Sequence, residues 1–189
     1  MAVTGIRLDL RRTRALVIDD NPQSLELLSQ ILAGFRLEKL KACQSPDEAR
    51  FVIAHEKFDL ILIDYAMPGE DGLHLARHIR SEPSLPNHTV PIVILHSYTP
   101  EHMVVQARDA GANMIVRKPV APAVLLNRIE WIARDTRDFV ESDGYCGPDR
   151  RVRTVPLPPD IPERRGDALA LIGDPERAMS QDDVTALFG

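Results

Sequence analysis

The chain is poor in cysteine, in long apolar stretches and in positive charge, and each shortage excludes a class of protein. Its two cysteines, Cys43 and Cys146, are far apart and lack the spacing of a disulfide scaffold or a zinc site. No stretch approaches the roughly 18 apolar residues of a membrane span, and the start has no apolar core of signal-peptide length. The net charge of −5 argues against general nucleic-acid binding. We therefore expect a reduced, cytoplasmic protein that neither inserts into membranes nor binds DNA.

Between residue 14 and about residue 140, short apolar runs alternate with amphipathic segments of helical spacing. The runs have the length of buried strands, and the serine, proline and two acids at 45–48 form a helix-start signal. The last amphipathic segment predicts a helix from Pro122 to about Val140. Five strands alternating with five helices predict βαβ units and an α/β fold whose parallel sheet is covered on both faces.

Charged residues follow three of the predicted strands. Asp19 and Asp20 come after the first strand, Asp64 ends the third, and Lys118 follows the fifth. The carboxyl ends of parallel strands meet at one rim of a sheet, so three carboxylates and one amine should gather there. Carboxylates that repel one another favour a bound divalent cation, and hard oxygen ligands select Mg²⁺ or Mn²⁺.

Such a rim has the components for transfer of a phosphoryl group to a side chain. A carboxylate beside the metal can act as the nucleophile, and it needs no activating base because it is ionised at neutral pH. The metal and Lys118 would neutralise the charge that builds on the equatorial phosphoryl oxygens. The rim therefore predicts an aspartyl phosphate.

Three motifs resemble the receiver domain of response regulators, of the CheY-like type, over roughly residues 14–135. They are IDDN at 18–21, LIDYAMPGEDG at 62–72 and VRKP at 116–119. Four acids and a Lys-Pro pair in this order make a specific combination. The resemblance implies a doubly wound, flavodoxin-like five-stranded sheet with strand order 2-1-3-4-5.

The resemblance also implies a role for each site residue. Asp64 would be the phosphoacceptor, supplied by a histidine kinase or a phosphotransfer protein. Asp20 and Asp64 would ligate Mg²⁺ together with the backbone carbonyl of Ala66, while Asp19 would act largely through water. Lys118 would contact the acceptor carboxylate or its phosphoryl group. The chain would thus be a signalling phosphoacceptor and not a turnover enzyme.

Two positions depart from the receiver pattern. The family has Thr or Ser at the end of strand four, where this chain has His96 with Ser97 next to it, and we expect one of the two to contact the phosphoryl group. The family often has an aromatic residue three before the lysine, where this chain has Ile115. These departures leave open a phosphorylation-independent adaptor. A metal-dependent phosphohydrolase is disfavoured, because haloacid dehalogenase-type enzymes need a second acid where this chain has Ala66.

Composition divides the rest of the chain. We assign 1–13 to an N-terminal extension, 14–140 to the receiver domain, 141–179 to a Pro/Arg-rich linker and 180–189 to a short amphipathic recognition helix. The many prolines in the linker argue against a folded output domain.

The terminal segment is typical of a helix that forms on a partner. Ser180 is a suitable N-cap, and Val184, Leu187 and Phe188 make one apolar face. The segment is similar to the N-terminal peptide of the flagellar switch protein FliM, which docks on a chemotaxis receiver. The similarity implies that this helix binds a receiver-type surface, its own or that of another regulator, in chemotaxis or motility.

Overall fold

The computed structural model describes residues 9–135, 137–142 and 144–150. Its main feature is a five-stranded sheet of order β2-β1-β3-β4-β5 in which neighbouring strands are parallel. The strands are β1 Arg14–Ile18, β2 Lys39–Cys43, β3 Leu60–Asp64, β4 Ile92–His96 and β5 Met114–Arg117. The helices are α1 Pro22–Gly34, α2 Pro46–His55, α3 Gly72–Ser81, α4 Glu101–Asp109 and α5 Pro122–Arg134. The predicted fold class and strand order are confirmed.

Burial follows the position of each strand in the sheet. All five residues of β3 are buried, whereas edge strand β2 buries only Cys43. Helices α2 and α3 contact each other on one face, and α1 and α5 flank a common groove. A sheet covered in this way needs near-continuous apolar strands, which explains the uninterrupted runs of the sequence.

Local signals begin the helices where the sequence predicts. Asn21 caps α1 by accepting the amides of Gln23 and Ser24, at 2.9 and 3.3 Å. Ser45 caps α2 by accepting the Glu48 amide at 3.2 Å, ahead of a proline at the first helical position. These caps satisfy backbone donors that a helix cannot pair internally.

The predicted end of the last helix is wrong, because α5 stops at Arg134 instead of near Val140. Asp135 adopts an extended conformation as the C-cap. Its carboxylate then accepts the Arg137 amide at 3.1 Å and the Arg137 guanidinium at 2.7–3.0 Å. This local turn replaces the next helical hydrogen bonds and redirects the chain.

A hairpin follows that the sequence did not predict. Strand β6, Phe139–Ser142, pairs antiparallel with β7, Tyr145–Pro148, around Gly144, whose φ is +82°. The predicted boundary at residue 140 lies within β6, and the first residues assigned to the linker belong to this hairpin. Cys146, which the sequence placed in the linker, lies half-buried in β7.

The remaining assignments fall outside the described residues. They concern residues 1–8 of the N-terminal extension, residues 151–179 of the linker and the recognition helix at 180–189. Within the described part of the chain, every helix is too short or too polar to cross a bilayer.

Candidate functional site

The predicted acids meet at the carboxyl rim of the sheet. Asp19 and Asp20 directly follow β1, and Asp64 is the last residue of the adjacent strand β3. One carboxylate oxygen from each of the three lies within 4.8 Å of the others. Asp19 and Asp64 are buried, and Asp20 is the most solvent-accessible of the three. The structure therefore brings together the three carboxylates that the sequence singled out.

Lys118 joins this cluster from a more distant strand. It follows β5, two positions from β3 in the sheet, so its side chain must pass over the end of β4. Its ammonium Nζ lies 2.7 Å from Asp19 Oδ2 and also forms an ion pair with Asp64 Oδ1. Partial burial lowers the pKa of Lys118, but the hydrogen bonds to the two carboxylates outweigh it, and the net pKa is raised. Lys118 is therefore protonated and positively charged at neutral pH.

Asp19 already has several partners within the protein. Its Oδ1 accepts the Asn21 amide at 3.0 Å, and its Oδ2 accepts the Ser24 hydroxyl at 2.5 Å as well as the Lys118 ammonium. These bonds fix the carboxylate and occupy its oxygens. Asp19 is therefore less free than Asp20 to bind a metal directly, in line with the expectation that it acts through water.

Ser24 is a site residue that the sequence reasoning missed. It lies in the first turn of α1, five residues after Asp19, and its backbone amide is held by the cap residue Asn21. A serine in the turn that directly follows a strand-end acid is a usable signal, because the helix start returns toward the strand end. We expect Ser24 to position Asp19.

Asp64 is held on both oxygens. Its Oδ2 accepts the amide of Ala66 at 2.8 Å, and Oδ1 pairs with Lys118. Burial raises the pKa of the Asp64 carboxyl above its ordinary value, while the hydrogen bond and the charge of Lys118 act in the opposite direction. The structure places the Ala66 amide on Asp64, and the metal-binding role of the Ala66 carbonyl remains a prediction.

Gly72 closes the loop that follows Asp64. Its amide donates to the Tyr65 carbonyl at 2.9 Å. A Cβ at this position would lie 2.3 Å from the backbone oxygen of Asp64. No residue larger than glycine fits this contact without moving the backbone that carries Asp64.

His96 and Ser97 point to different surroundings. The His96 ring packs on Tyr65, with 4.3 Å between the ring centroids, and its Nδ1 accepts the Ser97 amide at 3.0 Å. Burial first, and then the charge of Lys118, lower the pKa of His96, so the ring is neutral at pH 7 and carries its proton on Nε2. Ser97, by contrast, lines a groove together with Ser24 and Lys118.

The chemistry of these donors suits a small, hard cation. The cluster offers oxygen ligands only, and Mg²⁺ typically takes one or two carboxylates and keeps several waters. Asp20 and Asp64 would be the direct ligands, and a bound Mg²⁺ or Mn²⁺ would neutralise part of the negative charge at the rim. The residues present therefore fit the metal that the sequence predicts.

Comparison with known proteins identifies the family. The model of the response regulator receiver domain matches residues 15–130, more than half of the chain, and the chain belongs to this family. Receiver domains are signalling phosphoacceptors of two-component systems that bind Mg²⁺ at an acidic pocket and interact with histidine kinases or phosphotransfer proteins.

Individual relatives agree with this assignment. The chain is 31% identical over 121 residues to the phosphate regulon transcriptional regulatory protein PhoB of Pseudomonas aeruginosa, covering 64% of this chain and 52% of PhoB. It is 30% identical over 131 residues to the DNA-binding response regulator MtrA of Mycolicibacterium smegmatis, covering 69% of this chain and 55% of MtrA. The chain thus spans about half the length of these relatives.

Solved structures confirm the fold. A putative response regulator from Chloroflexus aurantiacus matches with a TM-score of 0.60 at 28% identity, over 65% of this chain and 98% of that one. The chemotaxis response regulator CheY4 of Vibrio cholerae matches with a TM-score of 0.59 at 22% identity, over 64% of this chain and 98% of that one.

Proposed function

We propose that this receiver accepts a phosphoryl group on Asp64, with Mg²⁺ or Mn²⁺ bound at Asp20 and Asp64, and thereby changes its affinity for a protein partner. The observation that carries the proposal is the rim cluster itself. Three carboxylates have oxygens within 4.8 Å of one another, and one ammonium group, that of Lys118, pairs with two of them. Such a concentration of negative charge is costly unless a bound cation offsets it, and strongly interacting charged groups of this kind are typical of functional sites.

The proposed transfer step uses Asp64 and Lys118. The donor is a phosphohistidine of a histidine kinase or of a phosphotransfer protein. An Asp64 oxygen attacks the phosphorus and forms a P–O bond while the P–N bond to the donor imidazole breaks, and the imidazole nitrogen keeps the electron pair. Lys118 already contacts Asp64, so its ammonium can follow the charge from the carboxylate to the phosphoryl oxygens.

A hydroxyl donor beside the phosphoryl group is best supplied by Ser97. Ser97 lines the groove that Lys118 also lines, whereas His96 stacks on Tyr65. We therefore assign Ser97 the role that Thr or Ser at the end of β4 has in related receivers. His96 would contribute through its packing on Tyr65, next to Asp64.

The output in this proposal is a protein–protein contact in chemotaxis or motility. Val184, Leu187 and Phe188 would form the apolar face of a helix that binds a receiver surface, its own or that of another regulator. These residues lie outside the described part of the chain, so the proposal depends here on the sequence pattern alone. We propose no DNA-binding output, although the relative MtrA is a DNA-binding regulator by name.

A second candidate is an adaptor that acts without phosphorylation. It is favoured by Ile115, which is fully buried in β5 where many receivers have an aromatic switch residue, and by His96 at the end of β4. The two candidates differ in one observable. Equal partner binding by wild type and Asp64→Asn would favour the adaptor.

The test of phosphoryl acceptance is a transfer assay with labelled acetyl phosphate and with candidate histidine kinases. Wild type should incorporate label only when Mg²⁺ is present, and Asp64→Asn should incorporate none. Asp47→Asn is the matched control, because Asp47 is an exposed acid in the first turn of α2. Equal labelling of wild type and Asp64→Asn would refute Asp64 as the acceptor.

A further inference from the structure

A buried arginine lies at the rim opposite the acid cluster. Arg80, at the carboxyl end of α3, is only 2% exposed. Its guanidinium donates to the backbone oxygens of Gly111 at 3.1 Å, His88 at 2.6 Å and Val90 at 2.6 Å. These acceptors are neutral, and burial lowers the pKa of Arg80 to about 10. A buried cation that is paired only with neutral carbonyls has lost its hydration, so favourable contacts of the guanidinium must offset this cost.

The β6–β7 hairpin is what covers this arginine. The Phe139 ring centroid lies 5.1 Å from Arg80 Cζ, within cation–π range. The same ring meets His88 edge-on at 5.7 Å, and His88 Nε2 lies 3.3 Å from Cys146 Sγ. Both strands of the hairpin thus contact the residues around the guanidinium.

Two glycines allow the hairpin to approach this closely. A Cβ on Gly111 would lie 2.3 Å from the backbone oxygen of Cys146. A Cβ on Gly147 would lie 2.7 Å from Gly111 Cα and 2.7 Å from the hydroxyl of Tyr145. The two backbones are therefore in direct contact, which leaves no room for a side chain.

The end of the hairpin is tied to α4. Arg150 Nη1 lies 3.2 Å from Asp109 Oδ1, at the last residue of α4, and its guanidinium carbon lies 3.7 Å from the Tyr145 ring centroid. An exposed ion pair is weak by itself. Together with the contacts around Arg80, it holds the end of the hairpin at the last residue of α4.

We propose that the surface formed by Arg80, His88, Gly111 and Asp109 is an intramolecular docking site for residues 137–150. The docked hairpin completes the receiver, so the cooperative domain ends near residue 150. It also holds Arg150 against Asp109, near the amino end of β5, whereas His96 and Lys118 lie at the opposite ends of β4 and β5. A two-stranded hairpin is marginal alone in water, so its folding depends on this docking.

The experiment is amide hydrogen exchange and thermal unfolding of the full chain, comparing wild type with Gly147→Ala and Phe139→Ala. We expect the hairpin amides to exchange about tenfold faster in either variant than in wild type. We also expect the unfolding midpoint of the receiver to fall by several degrees, on the order of what a lost core contact causes. Gly34→Ala is the control, because a Cβ there meets nothing within 4 Å.

Three outcomes would overturn the proposal. The hairpin amides of wild type could exchange at the rate of an unstructured peptide. Both variants could keep the wild-type unfolding midpoint, which would show that the hairpin does not contribute to the stability of the receiver. The protection could also disappear on dilution as a dimer dissociates, which would show that the hairpin docks on a second copy. Because the docking surface lies at the rim opposite Asp64, none of these results bears on phosphoryl acceptance.

Discussion

Neutralising Asp20 should stabilise the metal-free protein while abolishing its response to magnesium. The carboxylate oxygens of the cluster lie within 4.8 Å of one another. At that distance two unit charges repel by about 3.5 kcal/mol at an effective dielectric constant of about 20, and by about 0.9 kcal/mol in bulk water. The positive charge of Lys118 cancels one of the two negative charges, on Asp19 and Asp64, that repel Asp20. The net repulsion on Asp20 is then that of one carboxylate pair. We expect Asp20→Asn to raise the free energy of unfolding without metal by about 1–3 kcal/mol.

Bound Mg²⁺ should stabilise wild type, and Asp20→Asn should lose this stabilisation. A ligand that binds only the folded state at ten times its dissociation constant adds about 1.4 kcal/mol to the free energy of unfolding. Wild type should show such an increase between EDTA and saturating Mg²⁺, and Asp20→Asn should show little or none. Chemical denaturation followed by circular dichroism measures both quantities.

Asp47→Asn separates the local effect from a general loss of charge. Asp47 is exposed in the first turn of α2, where a carboxylate is favourable, so its removal should cost a few tenths of a kcal/mol. This control should keep the full magnesium response. If Asp20→Asn destabilises the metal-free protein, or if it keeps the wild-type response to Mg²⁺, the electrostatic account of the rim is incorrect.

Three further changes test other parts of the structure. Gly72→Ala should reduce the free energy of unfolding by about 1–3 kcal/mol and impair labelling of Asp64, because its Cβ meets backbone at 2.3 Å. Gly34→Ala, in open space at the end of α1, should neither destabilise the protein nor impair labelling. Asn87→Ala should cost about 2–4 kcal/mol in urea denaturation, because Asn87 is fully buried and bonds three backbone groups at 2.6–2.8 Å. The pKa of His96 is lowered in the fold, so the free energy of unfolding should fall as the pH drops below about 6.5. His96→Gln should flatten this pH dependence in urea denaturation. An unchanged slope in the variant would contradict a lowered pKa for His96.

The acid cluster could be predicted from the sequence because it depends on topology alone. Asp19, Asp20 and Asp64 directly follow buried runs, and neighbouring parallel strands place their carboxyl ends at one rim. Lys118 could be predicted for the same reason, since its side chain is long enough to cross the end of β4. The apolar pattern does not reveal which acid is the phosphoacceptor and which bind the metal, and these roles were inferred from the family resemblance.

The side-chain directions at the end of β4 could not be predicted. Counting back from Lys118 places His96 correctly at the strand end. The ring turns to Tyr65 because a neighbouring strand supplies a stacking partner, and this leaves Ser97 to face the groove. Such a choice depends on tertiary contacts that no local pattern encodes.

The hairpin was missed for a different reason. Its strands have only four residues each, and the Gly and Pro content around Gly144 is typical of a linker. The hairpin packs on Arg80 through Phe139, and a sequence pattern gives an arginine in an amphipathic helix no reason to be buried. The docking surface exists only after α3, β4 and β5 have come together.

The most direct test of the central claim is to locate the modified residue. The protein is incubated with Mg²⁺ and a phosphoryl donor, treated with borohydride, which reduces an acyl phosphate to an alcohol, and digested for mass spectrometry. The account predicts homoserine at position 64, lost when the donor is omitted or EDTA is added. Homoserine at the position of another aspartate would contradict the account. So would the absence of homoserine when the same donor modifies a different receiver in a parallel reaction.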